Sequence, residues 1–162
     1  MENVVRLYLS PAQMFVAAEV GKLRQIQAIQ ENRKNRIKNH RGTPWEAHIE
    51  GAMGELAVSN HFKMHWSGLC NQGAPDVGDI YDIRTTAYMN GSLWVHEDDK
   101  DERFMWLLTG YEGSYILRGG MYVHEAKQKN WWGTKDTTGP KENKSFAFWI
   151  PQEHLYFPEG TR

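Results

Sequence analysis

The spacing of apolar residues changes along this chain, and the change separates a helical first third from a strand-rich remainder. Ser10-Pro11 with Gln13 reads as an N-cap, a first-turn proline and a capping box. A helix is expected from there, running through Phe15, Val16, Leu23, Ile26 and Ile29. Thr43-Pro44-Trp45-Glu46 is a stronger start signal of the same kind. At roughly 100° per residue, Trp45, Ile49, Ala52, Met53 and Leu56 then gather on one side, so a helix over about 45–62 is expected to pack on a sheet.

Beyond residue 68 the period shortens. Residues 68–78 hold Gly, Asn, Pro and Asp and read as a turn-rich link. Short β-type runs follow at 80–86, 92–96, 104–109, 114–117 and 146–150, separated by Asn90-Gly91, by residues 97–103 and by residues 111–113. They predict one meandering sheet, with residues 133–145 as a polar surface loop. The fold class expected is α/β, with a central mixed β-sheet of about four to six strands flanked by helices. At 162 residues the chain suits a single domain. It divides into a basic N-terminal helix and loop over 1–42 and a core over 43–162.

Composition adds limits. Hydrophobic residues make up 40% and charged residues 24%, the balance of a chain that folds rather than one that stays disordered. Cys70 is the single cysteine, so neither an internal disulfide nor a multi-cysteine metal site is available, which suits a reducing cytoplasmic setting. No basic stretch leads into a long apolar run, and no segment reaches the roughly 18 apolar residues of a bilayer span, so neither export nor membrane insertion is expected.

The net charge of -1 conceals a segregation: residues 22–41 carry seven Lys or Arg against Glu31 alone, leaving that stretch at +6 and the rest at -7. A basic block of this size is a candidate phosphate-binding surface, attracted to nucleic acid through counterion release. Arg33, Lys34, Arg36 and Lys38 are its candidate contacts.

The chemistry concentrates in residues 51–62 and 74–86. Glu55 lies on the second helix, within about 20° of His48 on the helical wheel, whereas Glu50 projects about 140° away from Glu55. Asp76 follows Pro75 in a turn. Asp82 and Arg84 fall on one face of the next strand, because strand side chains alternate. Carboxylates converging beside a cationic side chain suit a hard cation such as Mg²⁺ or Mn²⁺, which polarises a phosphoryl oxygen and acidifies a bound water.

Pro75-Asp76 followed by Asp82-Ile83-Arg84, with Gly54-Glu55 on the preceding helix, resembles the PD-(D/E)xK nuclease superfamily, and residues 45–155 more narrowly resemble small phage and prophage proteins. The resemblance implies a restriction-endonuclease-like fold, a metal-dependent nuclease acting on nucleic acid, most readily DNA, and possible homodimerisation. It implies a catalytic set of Glu55, Asp76, Asp82 and Arg84, with Asp76 or Asp79, Asp82 and Glu55 as metal ligands. The gap from Asp76 to Asp82 is short for the motif, which leaves Asp76 and Asp79 as alternative first ligands. Arg84 stands where the motif has Lys; a guanidinium stays protonated, so it is expected to steady transition-state charge rather than take a proton. The other reading is a nuclease-fold module without catalysis that binds nucleic acid or a host protein.

Overall fold

Two proline-started helices carry the first third of the chain, as the capping signals predict. The computed structural model describes residues 4–34, 42–68, 73–135, 140–141 and 144–161. In α1 (Pro11–Gln30) the Ser10 side chain and Gln13 bond reciprocally, and in α2 (Pro44–Phe62) Thr43 and Glu46 do the same. Helix α2 stops at Lys63, whose φ of 54° is left-handed; such a conformation ends the i to i−4 ladder. Before α1 lies β1 (Val5–Tyr8), a four-residue strand with one buried side chain, which the apolar pattern did not predict.

The remaining strands are β2 (Tyr81–Thr86), β3 (Leu93–Val95), β4 (Phe104–Tyr111), β5 (Ser114–Tyr122), β6 (Trp132–Gly133) and β7 (Ala147–Ile150), with one helical turn, α3 (Val123–Ala126), after β5. They form two sheets rather than one meander. The first has the order β1-β5-β4-β2, antiparallel except where β2 runs parallel to β4. The second is antiparallel in the order β3-β7-β6. The meander fails at β3, which leaves the first sheet to pair with β7, so the chain re-enters beside β2 in the parallel direction. A tight turn with positive φ at Glu112 (53°) and Gly113 (79°) joins β4 to β5, the backbone twist that two-residue hairpins favour.

The protein is thus mixed α/β, and β4 explains its layering. Phe104, Trp106 and Leu108 point to the helices, while Met105 and Leu107 point to the second sheet. A strand covered on both faces reads as a continuous apolar run rather than an alternating one. Each such fully buried side chain contributes about 1.5–3 kcal/mol. Across β2, Tyr81 and Ile83 join the helix-side core, and Gly54 of α2 sits against Thr85.

Helix α1 turns its large apolar residues outward. Phe15, Val16, Leu23, Ile26 and Ile29 are 67, 52, 53, 44 and 55% exposed, while Ala17, Gly21, Gln25 and Ala28 are buried. Closeness of approach decides the face. A Cβ placed on Gly21 would lie 2.5 Å from Ile49 Cα, so only the small-residue side of α1 fits against α2. Among the described residues no helix is long and apolar enough to cross a membrane.

Candidate functional site

The short gap between Asp76 and Asp82 is closed by a fold-back of the backbone. Val77 and Tyr81 exchange N–H···O=C bonds of 3.0 and 3.2 Å, Gly78 adopts a φ of 59°, and its N–H donates to His65 O at 2.9 Å. The turn returns the chain so that Asp76 lies alongside the edge strand β2. Its Oδ2 accepts the Ile83 N–H at 2.8 Å, and its own N–H donates to Asp82 Oδ1 at 3.3 Å. Asp79 is left exposed within the turn, so of the two alternatives Asp76 is the one beside Asp82.

This arrangement crowds negative charge. The Asp76 carboxyl is pushed up to about 8, first by loss of water, then by the charges of Glu55 and Asp82, against the Ile83 N–H and Arg84, which favour its ionised form. Asp82 is raised too, chiefly by burial, although Arg84 and Arg103 pull it down. Arg103 Nη1 stands 3.9 Å from Asp82 Oδ1. Lys100 Nζ and Arg103 Nη2 both donate to Gly73 O, at 2.7 and 2.5 Å, anchoring the chain just before Pro75.

Glu55 lies on the helix side of the sheet and is held there. Arg24 of α1 grips it with two bonds, Nη1 to Oε1 at 2.6 Å and Nη2 to Oε2 at 2.7 Å, and Trp66 Nε1 donates to Oε2 at 2.8 Å. Both oxygens are therefore engaged, in a pair whose side chains are nearly buried. His48 is close by, as the wheel predicts; burial first, then Arg24 and Arg33, lower its pKa, with Glu55 opposing. Glu50 faces elsewhere, accepting from Tyr115 Oη at 2.7 Å and the Glu112 N–H at 3.0 Å.

Asp82 and Arg84 share the opposite face of β2, as strand alternation requires. Arg84 is braced against the second sheet, with Nε to Trp94 O at 3.4 Å, Nη2 to Asp99 Oδ2 at 3.0 Å, and its guanidinium carbon 6.0 Å from the Trp94 ring centre. Asp99 Oδ2 also accepts the His96 N–H at 2.7 Å. Lys127 Nζ donates to Asp99 O at 2.7 Å and to Asp101 Oδ1 at 2.6 Å, which ties α3 to the same acidic turn. The sheet thus divides the expected cluster. Glu55 is on one side, Asp82 and Arg84 are on the other, and Asp76 at the edge interacts with all three.

Asp76 and Asp82 are brought together, Glu55 comes near but is occupied, and Asp79 stays outside. Among the described residues no group of three His, Cys, Asp or Glu is placed to hold a metal ion. Arg33 follows the end of α1 and pairs with Glu31 at 2.7 Å, and Lys34 is exposed. Arg36, Lys38 and Cys70 lie outside the described residues. The residues that sequence reasoning overlooked are Arg24, Trp66, Asp99 and Arg103. Arg24 was detectable: it interrupts the small-residue stripe Ala17, Gly21, Ala28, a position where a cation needs a buried partner. Asp99 was hidden in an acidic run that reads as a solvated turn.

Comparison with protein-family models, with curated proteins and with solved structures returns no match.

Proposed function

We propose that this protein is a divalent-cation-dependent nuclease of restriction-endonuclease-like fold, with Asp76 and Asp82 as its cation-binding carboxylates and nucleic acid, most readily DNA, as its substrate. The observation that carries the reading is the locked Asp76–Asp82 pair. One oxygen of each is fixed by a backbone N–H, while among the described residues Asp76 Oδ1 and Asp82 Oδ2 have no hydrogen-bond partner. Two hard oxygens held at a partly exposed sheet edge fit Mg²⁺ or Mn²⁺, which need only one or two carboxylates when waters and a phosphate complete the shell. A bound cation would supply Lewis-acid activation of the phosphoryl group and a more acidic water.

The chain's own residues divide the remaining work. The Ile83 N–H orients Asp76, and the Asp76 N–H orients Asp82. Arg84 is held by Asp99 and the Trp94 carbonyl through Nη2 and Nε, which leaves Nη1 for an anionic oxygen of the substrate. A permanent cation there stabilises charge and takes no proton. Arg33, Lys34, Arg36 and Lys38 remain, from the sequence, the candidate contacts to the phosphate backbone.

A second reading, a module of this fold that binds nucleic acid or a host protein without cleaving, is favoured by one observation: Arg24 and Trp66 occupy both oxygens of Glu55. Calorimetry with Mn²⁺ on the wild type and on Asp82→Ala, paired with nicking of supercoiled plasmid, separates the two. Saturable binding and nicking that both vanish in Asp82→Ala support the nuclease. Absence of cation binding to the folded wild type refutes it.

A further inference from the structure

We propose that the outward face of α1 is a homodimer interface, in which two copies of this chain pack their first helices antiparallel across a two-fold axis. The face consists of Phe15, Val16, Leu23, Ile26 and Ile29, all substantially exposed although α1 is otherwise well seated on α2. From Phe15 to Ile29 it extends about 21 Å at roughly 1.5 Å per residue. The five residues expose roughly 500 Å² per copy, taking about 150–220 Å² of surface for each whole residue. A patch of that size is near the upper end of what monomers leave in water, about 300–600 Å². Two such patches bring together about 1,000 Å² before any rim residue is counted, against about 1,200–2,000 Å² for a specific interface.

The charges on this face select the partner and its direction. Glu19 and Lys22 are the charged residues on it, and they pair with each other within one helix. A parallel second copy would set Glu19 against Glu19 and Lys22 against Lys22. An antiparallel copy, reversed about a point near residue 21, sets Glu19 beside Lys22 of the partner subunit twice over and Phe15 against the partner's Ile26. That is the self-complementarity a two-fold interface requires. The opposite side of the same helix carries Arg24, so dimer formation would buttress the element that grips Glu55.

Sedimentation equilibrium on the whole protein provides the test. At about 100 µM, a concentration that populates a dimer of micromolar or tighter Kd, the wild type is expected at twice its 18.8 kDa. Ile26→Glu is expected at the monomer mass with an unchanged circular-dichroism spectrum, a weakening of at least about 100-fold, since the position is exposed within one copy. Glu19→Lys and Lys22→Glu should each be monomeric alone and should form a heterodimer when mixed, because only the mixture places opposite charges at both contacts. A monomeric wild type overturns the proposal, as does a dimeric Ile26→Glu. Two charge variants that both stay monomeric on mixing overturn the antiparallel pairing.

Discussion

Replacing Asp76 by Asn should make the cation-free protein more stable at pH 8 than the wild type, while leaving the two much closer at pH 5. Folding lifts the Asp76 carboxyl from 3.8 to about 8 through burial and through the charges of Glu55 and Asp82. The native state therefore holds a proton that the unfolded chain releases. A raised carboxyl contributes its full stability below about pH 4 and loses it as pH rises through about 8. Each unit of difference corresponds to about 1.4 kcal/mol. Between pH 5 and pH 8 a single isolated site would lose about 3–4 kcal/mol on this basis. Asp82 shares the repulsion and relaxes with it, so about 2–3 kcal/mol is the expected change in the difference between variant and wild type.

The amide suits the position, because its oxygen can still accept the Ile83 N–H and the backbone N–H bond to Asp82 is untouched. Urea denaturation of both proteins at pH 5 and pH 8, in chelator, measures the quantity directly, with equal m-values as the check that compactness is unchanged. A gap between the two proteins that stays constant from pH 5 to pH 8 would refute the crowded-carboxylate account, and one that narrows would reverse its sign. The same titration predicts a companion signal. If cation binding displaces the Asp76 proton, Mn²⁺ calorimetry near pH 7 in buffers of different ionisation heat should show about one proton released per ion.

Three further outcomes follow from the packing. Arg24→Met should lower stability by about 3–5 kcal/mol, because it strands the Glu55 carboxylate in a nearly buried position; thermal denaturation at pH 7 measures it, and a loss under 1 kcal/mol would mean that water already screens the pair. Gly21→Val should cost about 1–3 kcal/mol or more by driving a side chain into the Ile49 backbone, detected as a fall in Tm, and an unchanged Tm would show that the α1–α2 contact is looser than described. Replacing Arg33, Lys34, Arg36 and Lys38 by Gln should reduce the salt slope of DNA binding by about 0.9 per lost phosphate contact; an unaltered slope would remove the segment from the interface.

The parts of the fold legible in the sequence are those set by local chemistry. Ser10-Pro11 and Thr43-Pro44 start helices where expected because a side-chain oxygen and a proline satisfy the first turn whatever the helix later packs against. Strands β2, β4 and β5 were legible as β-type runs. What was not legible depends on partners far apart in the chain. Whether β3 pairs with β2 or with β7 is decided some fifty residues later by residues 147–150. Which face of α1 is buried was not legible either, because hydrophobicity and burial diverge there: Gly21 permits an approach to Ile49 that Leu23 and Ile26 on the other side could not.

The candidate site divides along the same line. That Asp82 and Arg84 share a face follows from strand alternation, and that His48 and Glu55 share one follows from helical period, so both pairs hold in three dimensions. The choice between Asp76 and Asp79 needed the fold-back at Val77 and Tyr81, a bond between residues four apart that no spacing rule announces. The state of Glu55 needed more still, since Arg24 lies 31 residues upstream on another helix. That pairing sets the order in which a cation could recruit the carboxylates. Among the described residues Asp76 and Asp82 each present an oxygen without a hydrogen bond, and they repel one another when both are ionised, so a divalent ion would gain from both at once. Glu55 would first have to give up a two-bonded guanidinium and an indole N–H, charge-assisted contacts that cost about 1.5–3 kcal/mol each to lose for those made to a charged group. A first cation should therefore bind through the aspartates and leave the Arg24–Glu55 pair intact, with Glu55 acting on the site through its charge.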